Sequence, residues 1–98
     1  GKEEEQITRV RLPESEDEIF GIVEEALGNE KFRVVCSDGK VRVCRLIGKL
    51  RKRVWISVGD LILVRKWKIQ GDKRGDIIDR YTPTEHSWLK KHGYIKNL

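Results

Sequence analysis

The stretch Gly48 to Trp55, GKLRKRVW, sets Lys49, Arg51, Lys52 and Arg53 within five positions and ends on a β-branched residue and an indole. Cations at that density attract phosphate, and an exposed aromatic ring beside them can stack on an unpaired base. A plainer reading stands next to it, in which the cations are solvated loop and Trp55 covers the end of a core. If Arg53 to Ser57 is extended, Val54 and Ile56 point one way and Arg53 and Trp55 the other. The alternation therefore assigns Val54 and Ile56 to the core and Trp55 to the surface.

Other chemistry is poorly supplied. Cys36 and Cys44 are the only cysteines, have no CxxC spacing, and lie far in sequence from His86 and His92, so no metal site is expected. Both are expected to be reduced thiols in or beside a sheet. The chain has no nucleotide-binding glycine motif, no HExxH and no nucleophile elbow. Asp76 and Asp79 sit three apart in a strand, on opposite faces, which makes a poor catalytic pair. No catalytic residues, no enzyme activity and no cofactor are expected. No apolar run approaches the roughly 20 residues that span a bilayer, and no signal-peptide pattern opens the chain. It reads as a soluble cytoplasmic protein with no membrane partner.

The 98 residues fit one small domain, and the formal charge of +5 hides an asymmetry. Residues 1–30 hold three Lys or Arg against ten Asp or Glu, whereas residues 31–98 hold eighteen against six. A segment carrying twelve excess positive charges attracts polyanions at a cost in self-repulsion, and nucleic acid is the default partner.

The elements that must carry these residues are mostly strands. Residues 1–17 are charged and aperiodic, which predicts a flexible acidic tail. Within it only Ile7 to Pro13 alternates, and this piece could lie along a surface or stay loose. Residues 18–81 read as a five-stranded barrel of the OB-fold type. The run Lys31 to Leu46 is a hairpin around Asp38-Gly39, taken as a two-residue type I′ turn. That register gathers Phe32, Val34, Cys36, Val41 and Val43 on a core face. It leaves Arg33, Lys40 and Arg42 on a basic platform with Cys44, so the two cysteines point apart. Residues 82–98 form a C-terminal helix and extension. Thr82, Pro83 and Glu85 make a capping box, Lys90 to His92 suit the last turn, and the helix is expected over about Pro83 to His92 with Trp88 as an anchor. The fold class is thus mainly β: an OB-fold barrel with one short C-terminal helix and a flexible N-terminal tail.

Five segments together resemble the translation initiation factor 1A family of archaea and eukaryotes, relatives of bacterial initiation factor 1. They are LGN (Leu27 to Asn29), CSDGKVRVC (Cys36 to Cys44), GKLRKRVWI (Gly48 to Ile56), GDLILV (Gly59 to Val64) and RYTPTEHSWLKKHGY (Arg80 to Tyr94). RVRLP and IQGDKRGDII make the likeness archaeal. The resemblance implies a monomer that binds rRNA at the A site of the small ribosomal subunit. It also implies help in recruiting initiator tRNA and mRNA beside other initiation factors. Lys49, Arg51, Lys52, Arg53 and Trp55 match the family's motif directly. Arg33, Lys40, Arg42, Arg45, Lys66 and Lys68 join them from register and charge. A general single-stranded RNA chaperone is the alternative, and a protein-binding OB module is a more distant one. Eukaryotic members carry a basic N-terminal tail and a long acidic C-terminal tail that contacts the subunit-joining GTPase, initiation factor 5B. Here residues 1–17 are acidic and the chain ends at Leu98, so tail functions in scanning are not carried over and that contact is not expected.

The acidic tail could compete with RNA for the basic face. Deleting residues 1–17 is then expected to tighten binding to random RNA in a filter-binding assay, and unchanged affinity would remove the idea.

Overall fold

Two-residue alternation with short turns resolves into five strands in a computed structural model that describes residues 10–98. They are β1 (Glu18–Gly28), β2 (Lys31–Cys36), β3 (Val41–Leu46), β4 (Leu61–Lys66) and β5 (Arg74–Arg80). The order around the closed barrel is β1-β2-β3-β5-β4. Only the closing pair, β3 with β5, is parallel. This is the five-stranded OB-fold barrel expected from the sequence.

β1 serves two partners at once, since Gly21 pairs with Cys36 on one side and Ile62 on the other. A side chain there has no room, because an added Cβ would lie 2.4 Å from Val34 Cγ1. Glycine lets the strand coil tightly enough to close the barrel. β4 is apolar throughout Leu61 to Val64 and buried on both faces. Ile62 and Val64 join the barrel interior, while Leu61 and Leu63 join a second core under the C-terminal helix. That second core also holds Phe20, Ile78, Tyr81, Leu89 and Ile95.

The C-terminal helix spans Pro83–Lys91, and its capping box is complete. The Glu85 amide donates to Thr82 Oγ1 at 3.1 Å, and the Thr82 amide donates to Glu85 Oε1 at 2.8 Å. Trp88 is half-buried against the second core and stacks on His92 with ring centroids 4.2 Å apart. Residues 10–17, expected within the flexible tail, lie on the barrel instead. Val10 and Leu12 pack on the helix core, and the Tyr81 hydroxyl donates to the Arg11 carbonyl at 2.6 Å. Residues 1–9, with the start of the alternating piece, lie outside the described residues. Deletion to residue 17 therefore removes core packing as well as charge, and exchanging Glu3, Glu4, Glu5, Glu14 and Glu16 for Gln tests the acidic tail without that loss.

The β2–β3 register differs from the expected one by one residue. The loop has three residues, Ser37 to Gly39: the Cys36 amide donates to Lys40 O, and the Gly39 amide donates to Cys36 O, both at 2.9 Å. Gly39 has φ of +83°, the left-handed third position of such loops. The type I′ geometry occurs one hairpin earlier, at Asn29 and Glu30, where φ is +52° and +60°. The slip pairs Val35 with Val41 and Val34 with Arg42. It turns β3 over, so Arg42, Cys44 and Leu46 face inward while Val41 is 49% exposed. Both free thiols therefore sit in the barrel core, not on opposite faces.

Burial pushes the Cys44 thiol up to about 12, and it raises Cys36 against the opposing pull of Arg42. The folded chain then keeps a proton that the unfolded chain releases above the ordinary thiol value of 9.0. The thiol's contribution is complete below that value and is lost as pH climbs through it toward 12. Urea denaturation across this range should show a smaller fall for Cys44→Ala than for the unchanged protein. Equal falls would contradict the burial argument.

Candidate nucleic-acid interface

Between β3 and β4 the chain forms one helical turn, α1 (Gly48–Arg51), and then runs extended without joining the sheet. The Arg53 and Val54 amides both donate to the Leu50 carbonyl, at 2.9 and 3.1 Å. Leu50, Val54 and Ile56 turn inward onto the barrel cluster. That inward set forces Lys49, Arg51, Lys52 and Arg53 outward, and all four are exposed. Trp55 is 80% exposed, on the surface where alternation put it. Its backbone is held even though its ring is free, because Arg80 Nη1 donates to Trp55 O at 2.7 Å. Further along, the Gly59 amide donates to Val23 O at 2.8 Å and ties the loop to β1.

Neighbouring clefts that share lining residues form a groove from α1 across β3, β5 and β4. Its first part is lined by Arg11, Lys49, Arg53 and Arg65 over an apolar floor of Ile47, Leu50 and Ile78. Arg65 also borders the middle part, with Arg45, Lys66, Trp67, Lys68 and Asp76. Arg45 and Trp67 then border the last part, with Lys31, Val43 and Arg74. With the adjoining cleft, which sets Asp17, Asp72 and Lys73 beside Lys66, Trp67 and Lys68, ten cations line the groove against three carboxylates, Asp17, Asp72 and Asp76. Such a band can attract a phosphate chain.

Asp76 organises the middle of the groove. It accepts the Trp67 indole N–H at 3.0 Å and pairs with Arg45 at 3.3 Å. The Arg45 guanidinium lies 5.3 Å from the Trp67 ring centroid, so a cation covers one part of an indole that remains 37% exposed. Trp67 and Arg65 are functional candidates that sequence reading passed over. The available signal was Trp67 between Lys66 and Lys68 at the end of an apolar strand.

The expected platform of Arg33, Lys40 and Arg42 is not one surface. Arg33 pairs with Glu25 across β1 and β2, and Lys40 pairs with Asp72 at 2.8 Å at the hairpin tip. Arg42 is overturned as a surface cation: it is 1% exposed because the three-residue turn points it into the barrel. Its fork meets both Asp38 oxygens at 3.0 and 2.8 Å, which holds the Asp38 carboxyl below its usual range. Arg51 is bound to Glu30 at 2.5 Å. No ion pair engages Lys49, Lys52, Arg53, Lys66 or Lys68 among the described residues. Exposed pairs are worth only about 0–1 kcal/mol, so they can be exchanged for a phosphate. Asp76 and Asp79 are engaged by different cations, Arg45 and Arg11, and make no pair. Among the described residues no cluster of three or more His, Cys, Asp or Glu gathers as metal ligands. No helix there is long and apolar enough to cross a membrane.

The family model described as translation initiation factor 1A / IF-1 matches residues 7–98. The translation initiation factor 1A of Pyrococcus abyssi is 54% identical over 93 residues, covering 95% of this chain and 81% of that protein. The one from Methanothermobacter thermautotrophicus is 44% identical over 96 residues, covering 98% and 96%. Among solved structures, the bacterial-type translation initiation factor 1 from the Wolbachia endosymbiont of Brugia malayi is similar, with a TM-score of 0.54 and 30% identity. That likeness covers 76% of this chain and 91% of the Wolbachia protein.

The indoles of Trp55 and Trp67 should respond differently to removal. Trp55→Ala should leave stability within about 0.5 kcal/mol, as a freely exposed side chain does. Trp67→Ala should cost about 1 kcal/mol or more through the lost hydrogen bond and cation contact. Chemical denaturation of both variants checks the order, and a larger loss at Trp55 would contradict it.

Proposed function

The chain belongs to the translation initiation factor 1A / IF-1 family, and on that premise we propose that its basic groove binds rRNA at the decoding A site of the small ribosomal subunit. Seated there as a monomer, the barrel blocks the site by its volume and promotes binding of initiator tRNA and mRNA alongside other initiation factors. The work is non-catalytic, needs no cofactor, and takes place in the cytoplasm. The observation that carries the reading is the run of exposed cations at Lys49, Arg51, Lys52 and Arg53 beside the exposed Trp55, continued by cation-rich clefts as far as Trp67.

Cations that reach phosphates release condensed counterions, which gives affinity with a steep salt dependence. Lys49, Lys52, Arg53, Lys66 and Lys68 have no ion pair to break among the described residues before they meet RNA. Arg33, Lys40, Arg45 and Arg51 exchange a carboxylate for a phosphate. Trp55 supplies placement by stacking on a displaced base, worth about 1–3 kcal/mol. Arg65 and Trp67 join this set, and Arg42 leaves it. A general single-stranded RNA chaperone would use the same chemistry, but it would bind short unstructured RNA as well as it binds subunits.

Cosedimentation with isolated small subunits over a salt series tests the reading, comparing wild type with Arg51→Ala/Lys52→Ala/Trp55→Ala. The triple variant should pellet at least tenfold less well, and its log–log salt slope should be shallower by about 1.4 for two lost phosphate contacts. Equal pelleting sinks the proposed site, and equal competition by short unstructured RNA favours the chaperone.

A further inference from the structure

Arg42 is an expensive residue to bury. A guanidinium inside a barrel costs several kcal/mol before pairing, and apolar residues of similar volume often serve stability as well or better. What an apolar side chain cannot do is grip two separate loops. Arg42 grips Asp38 in the β2–β3 turn through both terminal nitrogens, and its Nε donates to the Gly71 carbonyl at 2.6 Å. Gly71 lies in the β4–β5 loop, residues 67–73, which forms one end of the groove.

Two further ties hold the β4–β5 loop to the β2–β3 hairpin. Lys40 Nζ meets Asp72 Oδ1 at 2.8 Å, and the Val43 amide donates to Lys73 O at 2.9 Å. The loop is also closed on itself, since the Lys73 and Arg74 amides donate to Gln70 O at 2.9 and 2.8 Å. Gly71 in turn packs on the backbone of Trp67 so tightly that an added Cβ would lie 2.5 Å from Trp67 O. Displacement of Gly71 is thereby passed to Trp67 and on to its hydrogen bond with Asp76.

We infer that Arg42 is a positioning residue for RNA binding: from inside the barrel it holds the β4–β5 loop in the conformation that presents Trp67 and Lys68 to the groove. The inference rests on the rRNA reading above. It assigns a function to a cation that touches no RNA.

Subunit cosedimentation is combined with amide hydrogen exchange on the full chain. Arg42→Lys keeps the charge and loses the planar fork. It should weaken binding about tenfold, the equivalent of one strong hydrogen bond. Exchange should accelerate at Lys73 and Arg74 while the β1 and β4 amides stay protected. The decisive reading is coupling to Lys68: Lys68→Ala should weaken binding and lower the salt slope by about 0.7 in wild type, but change neither in the Arg42→Lys background. If Arg42→Lys fails to fold, Gly71→Ala moves the loop while leaving the guanidinium and its fork on Asp38 in place, and it should show the same loss and the same masking of Lys68. The inference is overturned if the loop amides stay protected, or if Lys68→Ala has its full effect in both backgrounds. Failure of wild type to bind subunits, or of the Arg51→Ala/Lys52→Ala/Trp55→Ala variant to bind less, would instead overturn the rRNA reading.

Discussion

A three-residue loop imposes more on this molecule than any other short stretch. With Ser37, Asp38 and Gly39 between them, Cys36 and Lys40 face each other, and every side chain of β3 follows from that pairing. One residue fewer in the loop would put Arg42 and Cys44 in solvent and drive Val41 and Val43 inward. It would also move Arg45 off the face where it meets Asp76 and Trp67. The left-handed backbone at Gly39 thus decides both what fills the barrel and what decorates the groove.

Charge is handled in two ways by the same fold. On the surface, cations stand beside carboxylates they can release at little cost, so the groove stays open to phosphate. Inside, among the described residues, the one buried guanidinium has all three nitrogens engaged and no buried side-chain polar atom lacks a partner. Release would be costly there and cheap outside, which separates cations that can exchange partners from the one that cannot.

Local chemistry was the part of the structure most legible beforehand. The capping box at Thr82 and Glu85 is complete within four residues, and no distant contact is needed to recognise it. Val54, Trp55 and Ile56 kept their alternation although the segment never joined the sheet, because each side of an extended chain still faces either core or water. Arg42 failed for the opposite reason. DG reads equally as the centre of a two-residue turn or the end of a three-residue one, and only contacts with Gly71, 29 residues away, distinguish them. Trp67 escaped notice because its partners Arg45 and Asp76 come from two other strands. The short turn at Gly48–Arg51 carries no side-chain cap that would have announced it.

The parallel pairing of β3 with β5 has a consequence for how the chain is made. β3 is laid down against β2 early, yet its other edge waits for residues 74–77. β1 waits in the same way for β4. No fragment that stops short of β5 contains a closed sheet, so a chain lengthening from its N-terminus carries unpaired strand edges until its last strand is available. Such edges are templates for wrong partners. Val41 and Val43 lie on a strand whose free edge is covered only when the last strand arrives, and protection of nascent chains matters there.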